Sequence, residues 1–234
     1  MANTERLSRR SLVEKAVELA DAESLESVTV RRLAQELGVT PMALYWHVKN
    51  KDQLFVCVTD HLLAEVTAEF DPGAPWNVRL RAMVEALIRV MRRHRYMPGL
   101  LGMVEKQELP NFARATDTAL DLLSQAGFTL TEGFAVSTYL LHGAMALVDN
   151  EPGCPGAFSA AEAAEWRRQR RLRLEQFPAG EFPRIVEYAK ATEEEPDLDA
   201  YYAFGLDLLM SGVEATAAKR TPGSALQKDL NGRK

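Results

Sequence analysis

The chain has 234 residues, with 28 Lys and Arg against 33 Asp and Glu, a formal net charge of −5. That length holds one or two domains with a sizeable core, and 47% hydrophobic with 26% charged residues excludes a wholly disordered chain. No apolar run approaches the ~20 residues of a membrane span. The opening MANTERLSRR lacks the apolar stretch of a signal peptide, and Cys57 and Cys154 form no CxxC pair. A reducing cytoplasmic compartment, no disulfide framework and no metal site are the expectations.

A net charge of −5 reads at first as evidence against nucleic acid. The charge is unevenly placed, however. Residues 1–51 carry eight bases (Arg6, Arg9, Arg10, Lys15, Arg31, Arg32, Lys49 and Lys51) and seven acids, giving +1, so residues 52–234 carry −6. DNA senses the face within about a Debye length, ~8 Å at physiological salt. A basic face on the first fifth of the chain is therefore compatible with the acidic total.

Almost every periodic stretch has helical spacing and no sustained alternation argues for a strand, so the expected fold is all-α, with about nine to ten helices. A first helix is predicted from Ser11 to about Ala22, with Ser11-x-x-Glu14 as its capping box. A second runs from Thr29 to Leu37 on the stripe Val30, Leu33, Ala34 and Leu37, and Gly38 stops it. Thr40 suits an N-cap and Pro41 a first helical position, opening a helix to about Val48. Asn50-x-x-Gln53 caps a fourth helix to about Phe70. Asp71-Pro-Gly-Ala-Pro75 is a boundary.

Beyond the boundary come a helix from about Trp76 to Arg95, a turn or helix over Met97–Glu105, and a helix from Pro110 to Ala126 stopped by Gly127. Thr129-x-x-Glu132 caps a helix over about Leu130–Val148. Residues 150–156 form a loop, Ser159-x-x-Glu162 opens a helix to about Phe177, and 193–196 is an acidic linker. A last apolar helix covers about Leu198–Ala217. The expected organisation is a three-helix head over 8–70 with a helix-turn-helix at 29–48, a larger helical ligand-binding and dimerisation core over 75–217, and a flexible tail over 218–234.

Function concentrates in TVRRLAQELGVTPMALYWHV, residues 29–48. Two short helices meet at a Gly turn, with Leu33, Ala34, Val39, Leu44 and Val48 as the small or branched apolar contact that close crossing needs. The second helix can then enter a major groove. Packing does not need Tyr45, Trp46 and His47 on so short a helix, which leaves them for phosphates or base edges. Arg31, Lys49 and Lys51 supply phosphate contacts, and the N-terminus beside Lys51 can hold a phosphate. The bland alternative is a helical hairpin with Tyr45 and Trp46 packed inward.

Residues 8–66 resemble the N-terminal domain of the tetracycline repressor (TetR) family. LAQELGV (33–39) and LYWHVKNK (44–51) carry the likeness most strongly. QAGFTL (125–130), Trp76 and FGLDLLMSGV (204–213) extend it at lower density. The resemblance implies a homodimeric DNA-binding transcriptional regulator, a repressor, with the dimer made by helices 130–148 and 198–217. It also implies a palindromic double-stranded operator and a small-molecule effector. By position it carries DNA contacts onto Arg31, Tyr45, Trp46, His47 and Lys51. At the start of the recognition helix, after Thr40, this chain has Pro41, Met42 and Ala43 where tetracycline repressors have Gln-Pro-Thr. Met42 and Ala43 make only apolar contacts, for example with a thymine methyl, which implies a different operator.

The positions matching the family's tetracycline–magnesium ligands have also changed. Met83 and Leu87 stand where Asn and Phe would be, Leu101 replaces the ligand His, and nothing supplies the oxygen ligands magnesium prefers. No cofactor and no tetracycline–magnesium chelate are expected. The candidate lining is apolar: Met83, Leu87, Met91, Leu101, Val104, Phe112, Phe134, Thr138, His142 and Trp166. It suits a flat, mainly apolar aromatic effector. Each of these residues has core packing as its plainer role; His142 reads as a core or interface histidine. Arg92, Arg93 and Arg95 complement a helix C-terminus, and Arg167–Arg173 reads as a solvated face. No Ser/His/Asp order, phosphate loop or paired acidic motif argues for an enzyme. A ligand-independent regulator or activator with a filled core stays open.

Overall fold

Helices are the only extended elements that this sequence builds among its described residues. The computed structural model describes residues 7–153, 159–192 and 194–220. Cys154, the end of the 150–156 loop, Glu193 and most of the expected tail lie outside them. The described residues form eleven α-helices: α1 (Arg9–Ala22), α2 (Val30–Glu36), α3 (Pro41–Tyr45), α4 (Lys51–Ala64), α5 (Trp76–Arg93), α6 (Met97–Met103), α7 (Pro110–Gln125), α8 (Leu130–Asp149), α9 (Ala160–Glu175), α10 (Pro183–Ala191) and α11 (Leu198–Ala217). The count exceeds expectation chiefly through α10. Its nine residues start on Pro183 and bury Ala189, a stripe too short to signal itself by period.

Two compact units result. The first holds Met1–Asp149 and Leu208–Lys234, the second Asn150–Asp207, so α11 gives residues to both. In the first unit α1 packs on α4 and α2, while α5, α7 and α8 pack on one another. In the second, α9 packs on α10 and the Phe177 and Phe182 rings meet edge to face at 5.3 Å. The basic run of α9 is satisfied largely within its own helix. Arg168 pairs with Glu165 at 2.8 Å, Arg171 lies 3.8 Å from Glu175, and Arg170 covers the Trp166 ring.

Several ends differ from the sequence reading. The first helix is capped by Ser8, which exchanges hydrogen bonds with Ser11 at 3.0 Å, while Glu14 pairs with Arg10. Ser8 is the better cap because it admits Arg9 and Arg10 to the helix. The fourth helix stops at Ala64 rather than Phe70. Glu65 is drawn to Arg93, and the N–H groups of Glu65 and Val66 tighten onto Leu62 and Leu63. The stretch 65–70 is irregular instead and serves as cavity wall.

Candidate nucleic-acid interface and ligand cavity

The head is organised around leucines that lose all contact with water. Leu12, Leu33, Leu44, Leu54 and Leu62 are each 0% exposed. Thr29 caps α2 through the Arg32 N–H at 3.1 Å. At its far end Gly38 takes φ +65°, Val39 N–H donates to Ala34 O at 2.9 Å and Gly38 N–H to Gln35 O at 3.2 Å. That paired closure needs the left-handed conformation glycine adopts at little cost, and it turns the chain sharply into α3.

Thr40 then caps α3 by accepting the Ala43 N–H at 3.3 Å, with Pro41 at the first position. Of the five residues of α3 only Leu44 points fully inward. Met42 is 70%, Tyr45 48% and Trp46 86% exposed. The inward-packed alternative for the two aromatics is therefore wrong. The helix ends at Tyr45 rather than Val48, because Asn50 must be extended to cap α4 through Gln53 N–H at 2.8 Å. Gln53 in turn accepts the Lys49 N–H at 2.7 Å. Arg31, Thr40, Pro41, Lys49 and Lys51 are exposed, and Ala43 and His47 half-buried. Lys51 lies 5.0 Å from the Phe55 ring centroid. The result is one outward surface that mixes large apolar side chains with three bases.

The core of the first unit contains a cavity of about 390 Å³. Leu63 and Ala64 at the end of α4, Val66, Ala68 and Phe70 beyond it, Met83 and Leu87 of α5, and Phe112 of α7 form apolar walls. Phe134, Ser137 and Thr138 of α8 contribute too. The structure thus brings five predicted lining residues together: Met83, Leu87, Phe112, Phe134 and Thr138. The other five lie outside the lining. Met91 and Leu101 are 0% exposed, consumed by packing. Val104 ends α6 half-buried, His142 points outward from α8, and Trp166 belongs to the second unit.

Sequence reasoning missed Asn111, Arg114, Ala115 and Ala119 on α7. Their signal was a row of small residues, Ala115 and Ala119, one and two turns after Asn111. Ala119 is buried and Ala115 exposed at the mouth, and small side chains along that line leave the space that a ligand fills. Among the described lining residues there is no His, Asp or Glu. No group of three or more His, Cys, Asp or Glu is placed to hold a metal ion among the described residues, and no helix there is long and apolar enough to cross a membrane.

A buried polar cluster joins head and core inside the first unit. His94, 5% exposed, sits with Nδ1 2.8 Å from Asp21 Oδ1 of α1, and its Nε2 accepts Arg93 Nε–H at 3.0 Å. With Nε2 accepting, the ring carries its proton on Nδ1 and donates it to Asp21. Arg93 also pairs with Glu65 after α4. Burial, and then the nearby Asp21 and Glu65 charges, push the Tyr96 phenol far up. The end of α5 is thereby tied to both α1 and α4.

An outward recognition helix on a glycine turn, carried by an all-helical body with a walled cavity, defines a helix-turn-helix regulator. A family model described as bacterial regulatory proteins, tetR family, matches residues 12–58, and one described as the tetracyclin repressor-like C-terminal domain matches residues 71–217. The chain belongs to the tetR family and is a DNA-binding transcriptional regulator. It is similar to the HTH-type transcriptional repressor DrrR1 of Streptomyces coeruleorubidus, 28% identical over 222 residues, 92% of this chain and 80% of that one. It is also similar to the class D tetracycline repressor protein of Escherichia coli, 26% identical over 211 residues, 89% and 90% of the two chains. Among solved structures, the Streptomyces coelicolor TetR family protein ActR in complex with actinorhodin superposes with a TM-score of 0.77 at 26% identity, over 91% of this chain and 99% of that one.

Proposed function

We propose that the chain acts as a homodimeric repressor that leaves a palindromic operator when a small, mostly apolar effector enters the cavity. In this reading residues 8–70 are the DNA-binding head, 75–217 the ligand-binding and dimerisation region, and α8 with α11 make the dimer. The observation that carries it is the outward set Met42, Tyr45 and Trp46 beside Arg31, Lys49 and Lys51. Large apolar side chains facing water on and just after a five-residue helix gain little in the free protein, but suit base edges and sugar. The dimer supports the geometry, since two recognition helices then fit major grooves about 34–36 Å apart. Tyr139 at 74%, Phe204 at 64% and Leu208 at 61% exposure are the apolar surface such an interface would cover.

Coupling follows from α4. Lys51 starts that helix at the DNA surface, and Leu63 and Ala64 end it on the cavity wall. Its 14 residues at ~1.5 Å rise span about 20 Å, so a ligand pressing on the last turn tilts a rigid lever whose other end holds the head. Reversing occupancy from 99:1 to 1:99 needs ~5.5 kcal/mol of differential affinity. The cavity favours this over a filled-core regulator, and a lining without His, Asp or Glu favours an organic ligand bound without magnesium. A gel-shift with DNA upstream of the gene and its neighbours tests the reading. A specific complex that candidate aromatic molecules dissolve is the expected result; a complex with no sequence preference overturns it.

A further inference from the structure

The cavity carries a single charge. Arg114 is the one ionised side chain among the described residues that wall it. Its guanidinium is held from one side by a built relay. Asn111 N–H donates to Asp60 Oδ1 at 2.9 Å, and Asn111 Nδ2 donates to Asp60 Oδ2 at 2.9 Å and to Asp60 O at 3.1 Å. Because Asp60 engages the amide nitrogen, the amide oxygen faces away from it. That oxygen accepts Arg114 Nη1–H at 2.7 Å. Asp60 itself makes no ion pair with Arg114 among the described residues, because its oxygens are turned to Asn111. A guanidinium has five N–H donors, and here one has a protein acceptor. Among the described residues no nearby hydroxyl accepts from it. Thr118, Ser137 and Thr138 each donate to a carbonyl one turn earlier, at 3.0, 2.8 and 2.9 Å.

We infer that the cavity selects an apolar molecule bearing a carboxylate, with the anion on Arg114 at the exposed mouth and the body between Met83, Leu87 and Phe112. This rests on the reading of the cavity as the effector site. Arg binds carboxylates in two-point geometry through donors that are always charged. A neutral ligand of the same shape gains only a fraction of that contact, and a cation is repelled with no acid in the lining to offset it.

The test is a fluorescence titration of the full chain with 2-anthracenecarboxylate and with its primary amide, which share ring and shape. The acid binds about tenfold tighter or better, as expected for a hydrogen bond to an ionised partner. Arg114→Met erases that preference while leaving the amide within about twofold, and Arg114→Lys keeps part of it. Arg114 is exposed, so these variants fold, which a thermal melt confirms. Equal binding of acid and amide to the unaltered chain, or a preference that survives Arg114→Met, overturns the proposal while leaving the cavity reading intact. Binding of neither probe overturns the cavity reading and the proposal with it.

Discussion

Trp46, just after α3, and Phe112 on α7 are both large aromatics, yet one is 86% exposed and the other walls a cavity. The head packs leucines inward, and at its recognition surface turns Met42, Tyr45 and Trp46 outward. The core does the reverse: Ala115 and Ala119 face the cavity, and the space exists because nothing larger fills it. Recognition of a long, stiff, charged partner needs protrusion, whereas recognition of a small apolar one needs a hollow.

Four experiments with variants and one titration can break or sharpen that contrast. The largest effect is expected from Tyr45→Ala with Trp46→Ala, which should abolish sequence-specific operator binding, a loss of at least about a hundredfold at ~1–3 kcal/mol per lost base contact. Stability should change by no more than ~0.5 kcal/mol per site, since both residues are surface groups. Gel-shift and thermal melt together check this, and retained operator affinity would remove the two residues from the interface. On the inward side of the same helix, Leu44→Ala should cost ~2–5 kcal/mol of folding stability, read from urea unfolding, because it empties a fully buried site. The two results should dissociate, one losing DNA and the other losing the fold.

In the core, Ala115→Trp should plug the exposed mouth. Binding of 2-anthracenecarboxylate should fall by about tenfold or more, since the space of a drug-sized ligand is lost, while operator affinity stays put. A smaller effect belongs to the crossing of α8 and α11. A Cβ on Gly143 would overlap Leu209 Cδ2 and stand 2.9 Å from Cδ1. Gly143→Ala should cost about 1 kcal/mol as Leu209 shifts, and Leu209→Ala in the same chain should recover part of the loss, a coupling that a double-mutant cycle reads directly.

The smallest effect is a pH dependence at the start of α8. Arg220, and then Thr129, hold the Glu132 carboxyl down at about 2. A depressed folded pKa stabilises above the ordinary carboxyl range, near 4.5, and that contribution disappears as pH falls from there toward 2. Glu132→Gln should therefore flatten part of the acid limb of a melting curve by lowering stability at neutral pH, and only slightly, because the pair is partly exposed and screened.

How legible each region was differs for a physical reason. The head is local: Thr29, Gly38, Thr40, Pro41 and Asn50 act on backbone within four residues of themselves, so their roles follow from spacing. Even the exposure of Trp46 is inferable, since a five-residue helix has one inward face and Leu44 occupies it. Cavity residues are non-local. Met83, Leu87 and Met91 share one helical face, but only the first two reach the hollow. Whether the third does is decided by which helix crosses above it. Val66, Ala68 and Phe70 were expected on a helix and instead form wall, because Glu65 turns toward Arg93, a residue 28 positions away.

The amino-acid order by itself determined the helical class, the glycine turn, the caps and the recognition face, because each depends on interactions a few residues long. It also placed the positive end of the charge distribution: a total of −5 conceals a +1 head. Only the tertiary structure decided which apolar positions enclose space and which fill it. It also decided that Asp60, Asn111 and Arg114 form one relay, and that His94 fastens the end of α5 to Asp21. A cavity is the difference between the volume that helices enclose and the volume their side chains occupy, and neither quantity is defined until the helices have met.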